Sequence, residues 1–121
     1  GRQSVEMTEL NRERYCERVM CEFSTYIERL LRERSVMLEV VQQSSREDWI
    51  QALVRANFGV AFMPISLARA AQLAYVTMTD VPIIREVSVL TRAERPTSTA
   101  QQAVIDSLVA HGWGPRPAEP A

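Results

Sequence analysis

The sequence predicts an α/β domain, a mostly parallel sheet flanked by helices. Three observations carry this. Hydrophobic periodicity switches repeatedly between about 2 and about 3.6 residues along the chain. The run Phe58-Gly59-Val60-Ala61-Phe62-Met63 is apolar throughout, the pattern of a strand covered on both faces in a parallel sheet. The 121 residues suffice for one domain and leave little room for two.

Residues 1–13 are polar and without sustained periodicity, so they read as a leader or linker. Arg14 to Cys21 alternates, with Tyr15, Glu17, Val19 and Cys21 on one face, and reads as a strand. Phe23 to Arg34 changes period: Phe23, Ile27, Leu30 and Leu31 recur at helical spacing, and Ser24 or Thr25 can cap the first turn. Val36 to Gln42 alternates again as a strand. Ser44 with Glu47, or Ser45 with Asp48, has the spacing of a capping box for a helix with Trp49, Ile50, Leu53 and Val54 on its apolar stripe. That helix should end near Asn57, which tolerates left-handed backbone angles. The apolar run from Phe58 follows, and Pro64 stops it.

Ile65 to Gln72 is expected as a short helix, Leu73 to Thr77 as a strand, and Thr79 to Pro82 as a loop. Ile83 to Thr91 reads as a strand. Thr97 or Ser98 should cap a last helix with Ala100, Val104, Leu108 and His111 on its core side and Gly112 at its end. The tail, with three prolines after Gly114, is expected to be frayed. The expected order is β-α-β-α-β-α-β-β-α.

Composition narrows the function. A net charge of -1, from 14 basic and 15 acidic residues, lacks the basic excess a phosphate-neutralising protein needs, so direct nucleic-acid binding is not expected. No apolar run approaches the roughly 20 residues of a membrane span. Two cysteines and one histidine make no zinc signature, and no phosphate loop or nucleophile motif is present, so neither a cofactor nor catalysis is expected. The two thiols, Cys16 and Cys21, fit a reducing cytoplasm better than a disulfide scaffold. The start at Gly1 suggests a trimmed piece of a longer chain.

The segment Ser44-Ser-Arg-Glu-Asp-Trp-Ile-Gln-Ala-Leu-Val-Arg-Ala-Asn-Phe-Gly-Val-Ala-Phe-Met-Pro64 resembles the effector-binding (substrate-binding) domain of LysR-type transcriptional regulators. In that family a strand ends in a Ser/Thr-rich turn, a helix runs into a glycine turn, and an apolar strand closes with proline. Asn57 departs from the family's usual glycine. Arg85-Glu-Val-Ser-Val-Leu-Thr-Arg92, then Thr97-Ser-Thr-Ala100 and a closing helix, resemble the family's C-terminal end. Arg14-Tyr-Cys-Glu-Arg-Val-Met-Cys-Glu-Phe23 resembles the strand that opens the second lobe. The resemblance covers residues 14–111, with 1–13 as leader and 112–121 as disordered tail. It implies one lobe of a periplasmic-binding-protein-like (type II) fold, truncated to about the second lobe plus the C-terminal return segment.

The function implied is a small-molecule effector-binding regulatory domain in a bacterial cytoplasm, without its DNA-binding domain. The alternative is a stand-alone, non-catalytic interaction module that pairs with full-length regulators. Val87, Val89, Val104 and Leu108 would pack on first-lobe elements in the whole family fold. A homodimer, with the C-terminal strand and helix exchanged, is therefore expected.

The resemblance also places the effector at loops following the strands, as is general for open α/β sheets. The candidates are Cys21 and Glu22 after the first strand, with Phe23 and Ser24 beside them. Ser44 and Ser45 follow the second strand, next to Gln43, and Phe62, Met63 and Pro64 lie at the end of the third, before Ile65. Serine hydroxyls and helix N-terminal N–H groups would suit a carboxylate, the group expected on the ligand. Capping alone also accounts for the serines, and strand termination for Pro64. Cys21, before a helix start, could be a reactive thiol or simply a small hydrophobe. Trp49 reads as core or interface, and His111 as structural.

Overall fold

The computed structural model describes residues 1–81 and 83–113, and the chain divides after residue 82 into two units. In the first unit, β1 (Ser4–Val5) leads into a 3-10 turn (Met7–Leu10) and then β2 (Arg14–Arg18). α1 (Ser24–Glu33), β3 (Glu39–Ser44), α2 (Glu47–Arg55), α3 (Ile65–Ala70) and β4 (Thr77–Met78) follow.

β2 organises the unit. It pairs in parallel with β3, Arg14 opposite Glu39 and Arg18 opposite Ser44. Tyr15 lies opposite Val40 and Cys16 opposite Gln42, which leaves Val41 as the extra residue of a bulge. On the other edge the Cys16 N–H donates to the Val60 carbonyl, and the Val60 N–H to the Arg14 carbonyl, both at 2.8 Å. Tyr15 and Cys16 are consecutive and both buried, so β2 is covered on both faces. Ile27 and Leu30 of α1 and Ile50 of α2 complete the core beside Val36, Ala68, Leu73 and Val81. Every strand pair is parallel, as the fold class requires, but the described strands form two separate two-stranded pairs rather than one sheet.

Helix ends explain much of the layout. Each of the three helices closes in a Schellman motif on a residue other than glycine: Ser35 (φ 54°), Asn57 (φ 56°) and Gln72 (φ 53°). The next N–H in each case reaches back into the last turn: Val36 to Leu31, Phe58 to Leu53 and Leu73 to Ala68, at 2.8–2.9 Å. Asn57 thus takes the left-handed angle its side chain suggested. Ser24 and Thr25 do not cap α1, whose N-cap is Phe23. No capping box forms at α2 either: its N-cap is Arg46, with no side-chain cap. The Ser44 hydroxyl instead accepts from the Arg46 N–H at 3.0 Å, a turn that closes before the helix begins.

Strand boundaries differ more from expectation. Residues 1–13, read as a leader, hold β1 and the 3-10 turn and bury Val5 and Met7. β1 pairs in parallel with β4, with Thr77 donating to the Gln3 carbonyl and Thr79 to the Val5 carbonyl. The expected strand from Leu73 begins later because Leu73 is committed to the end of α3. The expected strand from Val36 begins at Glu39 for the same reason at the end of α1. The apolar run from Phe58 makes one bridge, at Val60. Its outer side has no partner strand among the described residues, so Phe58 and Val60 stay exposed.

The second unit holds α4 (Thr99–Ala110), capped by Ser98, whose hydroxyl accepts from the Gln101 N–H at 3.2 Å while the Gln101 side chain accepts from the Ser98 N–H. α4 ends at His111 in extended geometry, so Gly112 is not used as the stop. The Trp113 indole N–H closes the end by donating to the Leu108 carbonyl at 2.7 Å, its ring edge-on to His111. Residues 83–91, expected as a strand, form none among the described residues, because no ladder partner lies beside them. The expected core side of α4 is exposed as well: no residue of the helix is buried. The expected tail over 114–121 lies outside the described residues.

Candidate functional site

The carboxyl ends of β2, β3 and the run from Phe58 converge beside the start of α2. The ends of β2 and β3 and the first residue of α2 enclose a small cavity of about 80 Å³, lined by Arg18, Val19, Met20, Cys21, Ser44, Ser45 and Glu47. Arg18, the last residue of β2, forms the floor. Its Nε and Nη2 donate to Glu47 Oε2 at 2.8 and 2.7 Å, and its Nη1 to the Phe62 carbonyl at 3.3 Å. One guanidinium therefore ties β2 to α2 and to the third apolar segment. The Ser44 carbonyl accepts from the Val19 N–H at 3.1 Å, which carries the β2–β3 ladder to the rim.

Of the residues singled out in the sequence, Cys21, Ser44 and Ser45 line the cavity. Cys21 is half-buried, with its Sγ 3.7 Å from Arg18 Nη1, and its carbonyl accepts the Ser24 N–H that starts α1. Phe62 contributes its backbone carbonyl, while its ring packs edge-on against Tyr15 with centroids 5.7 Å apart. Glu22 is exposed and outside the lining. Met63 and Pro64 are also outside it; Pro64 is the N-cap of α3, and its carbonyl accepts from Leu67 and Ala68. Trp49 is not core: it is 56% exposed, with the Arg46 guanidinium 5.6 Å from its ring centroid.

The electrostatics of the corner differ from the expectation of a free helix end. Glu47 and Asp48 occupy the first turn of α2 and already complement its positive end. Asp48 is hydrogen-bonded by Arg46, which holds its carboxyl below the usual range. Cys16 lies behind the corner, fully buried, and burial pushes its thiol up. The same burial pushes the Tyr15 phenol up. Both cysteines are free thiols. Among the described residues no group of His, Cys, Asp or Glu could hold a metal ion, and no helix is long and apolar enough to cross a membrane.

Sequence reasoning missed Arg18 and Glu47 as the centre of the corner. They stand 29 residues apart and meet only through the β2–β3 pairing, so no spacing rule links them. The available signal was positional: an arginine ending one strand, and a carboxylate opening the helix that follows the next.

The family model of the LysR substrate binding domain matches residues 1–113. The chain belongs to the LysR substrate-binding-domain family. No curated protein and no solved structure matched the chain. The family assignment gives a periplasmic-binding-protein-like type II fold, in keeping with the parallel strands and flanking helices, and an effector-binding regulatory role. The family match includes residues 1–13 and so extends the resemblance from Arg14 back to the strand that pairs with β4.

Proposed function

We propose that this LysR substrate-binding domain senses a small molecule bearing a carboxylate at the corner of Arg18, Cys21, Ser44 and Ser45. The observation that carries the reading is the convergence of the carboxyl ends of β2 and β3 on one polar crevice beside a helix N-terminus, with the third apolar segment tied to it through Arg18 and the Phe62 carbonyl. The role is regulatory: a ligand that prefers one arrangement of the corner shifts the population toward it. The corner's groups serve binding rather than catalysis. A net charge of -1 favours a domain that does not itself contact nucleic acid, and two free thiols favour the cytoplasm.

The test is a screen of small organic acids by thermal shift, followed by amide chemical-shift mapping. The expected result is a ligand that raises Tm and moves the Cys21, Ser44 and Ser45 amides. Hits that move only amides of residues 83–113 overturn the site.

A second reading, a non-catalytic association module, is favoured by the apolar exposure of the second unit. Val87 is 81% and Leu90 91% exposed, and Val109 and Trp113 are exposed as well. It predicts a homodimer. Light scattering that reports a monomer at tens of micromolar removes that reading and leaves ligand sensing in place.

A further inference from the structure

The corner already holds a carboxylate, and it belongs to the chain. Glu47 is the first residue of α2, and it sits where the Arg18 fork, the positive end of the helix and the two serines meet. Arg18 is the only cation lining the cavity among the described residues. Its side chain is 15% exposed against 33% for Glu47, and its Nη1 stays bonded to the Phe62 carbonyl. Apart from Arg18, the Glu47 carboxylate accepts from Gln51 Nε2 on the same helix, a long contact of 3.4 Å to Oε1. The carboxylate is therefore the more weakly held member of the pair: its flexible side chain can turn to water while Arg18 remains anchored. A cavity of about 80 Å³ has room for a carboxylate group, and the body of a larger ligand would extend outward past the exposed Met20.

Resting on the reading of this corner as the effector site, we propose that Glu47 is a built-in competitor. A ligand carboxylate takes its place on Arg18, and Glu47 swings to solvent. The exchange leaves the charge facing Arg18 unchanged while it releases the tie between β2 and α2. Occupancy of the cavity is thereby coupled to the position of α2.

The experiment titrates the 121-residue chain with acetate, and with acetamide as the neutral analogue, at constant ionic strength. Amide shifts of Cys21 and Ser45 are the readout. Acetate should move both saturably, but only at high concentration because it must displace Glu47, and acetamide should move neither. Glu47→Gln should tighten acetate binding about tenfold, because the competitor has lost its charge. Arg18→Lys keeps the cation, loses the fork and should weaken binding about tenfold. Circular dichroism establishes that both variants are folded. Unchanged or weaker acetate binding in Glu47→Gln overturns the exchange. An equal response to acetamide also overturns it, while the corner still stands as a ligand site. Silence from both probes overturns the exchange alone, since the screen of organic acids judges the corner separately.

Discussion

Gly59→Ala tests whether the third apolar segment is seated against β2. A Cβ at Gly59 would lie 2.6 Å from the Arg14 carbonyl oxygen, 3.0 Å from its carbon and 3.2 Å from Cys16 Sγ. Two of these atoms are backbone of the central strand and cannot rotate away. Ordinary contact begins near 3.4 Å, so the segment must retreat by about 0.8 Å. That movement stretches the two 2.8 Å hydrogen bonds joining Val60 to Arg14 and Cys16. Each such bond contributes about 1 kcal/mol net, and overpacking of this kind costs about 1–3 kcal/mol. The expected loss is about 2–3 kcal/mol, read by urea unfolding followed by far-UV circular dichroism with an unchanged m-value. Gly112→Ala is the control, since nothing lies within 4 Å of its added Cβ; its change should stay below about 0.5 kcal/mol. A Gly59→Ala loss no larger than that of the control refutes the seating, and with it the position of the Phe62 carbonyl at Arg18.

Gln72→Gly should stabilise the protein by about 0.5–1 kcal/mol by relieving a left-handed backbone, and Asn57→Gly by less, because asparagine tolerates that region; urea midpoints rank the two. Asp80→Ala should cost about 2 kcal/mol in the same assay. The Asp80 carboxylate accepts from the Met7 N–H at 3.0 Å and from Arg34 Nε at 3.2 Å, joining the N-terminal turn to α1, and both donors would lose it. In the native protein a thiol reagent should label Cys21 quickly and Cys16 only after unfolding, with mass spectrometry assigning the site. Burial raises the Cys16 thiol above its ordinary value of 9.0, so the folded state holds that proton longer. The corresponding stability is fully present below the unfolded thiol's pKa and is lost as pH rises through the folded value. Cys16→Ala should flatten the alkaline slope of unfolding free energy between pH 8 and about 10.

The helices were legible because their information is local. Ile27 and Leu30 in α1, and Ile50 in α2, fall where a 3.6-residue period puts them, and all three are buried. The end at Asn57 was legible because a single residue's tolerance decides it. Strands depend on partners far along the chain. β1 is two residues long and exists through Thr77, 74 positions from Gln3, so residues 1–13 gave no periodic signal of their own. The alternation of Ile83 to Thr91 is genuine, yet alternation supplies only faces; without a ladder partner it builds no strand. The same division holds in the candidate site. Cys21 and Ser45 could be found because loops after strands are readable; Ser44, expected in the loop, is instead the last residue of β3. The Arg18–Glu47 contact required the register in which Arg18 lies opposite Ser44.

That register also bears on what the proposed recognition at the corner would have to overcome. A free helix end would attract any anion, but Glu47 and Asp48 complement the start of α2, and Asp48 is itself held by Arg46. Helix-dipole attraction is therefore largely satisfied before a ligand arrives. What remains for discrimination is the planar Arg18 fork, which favours two-oxygen acceptors, and the hydroxyls of Ser44 and Ser45 at the rim. An anion that offers only charge gains little over Glu47, which already supplies it at 2.7 Å. One that also engages the serines, or covers the exposed Met20, gains contacts Glu47 does not make. On the proposed reading, selectivity at this corner would come from the ligand's body rather than its charge, and a resident carboxylate would raise the threshold that simple anions must pass.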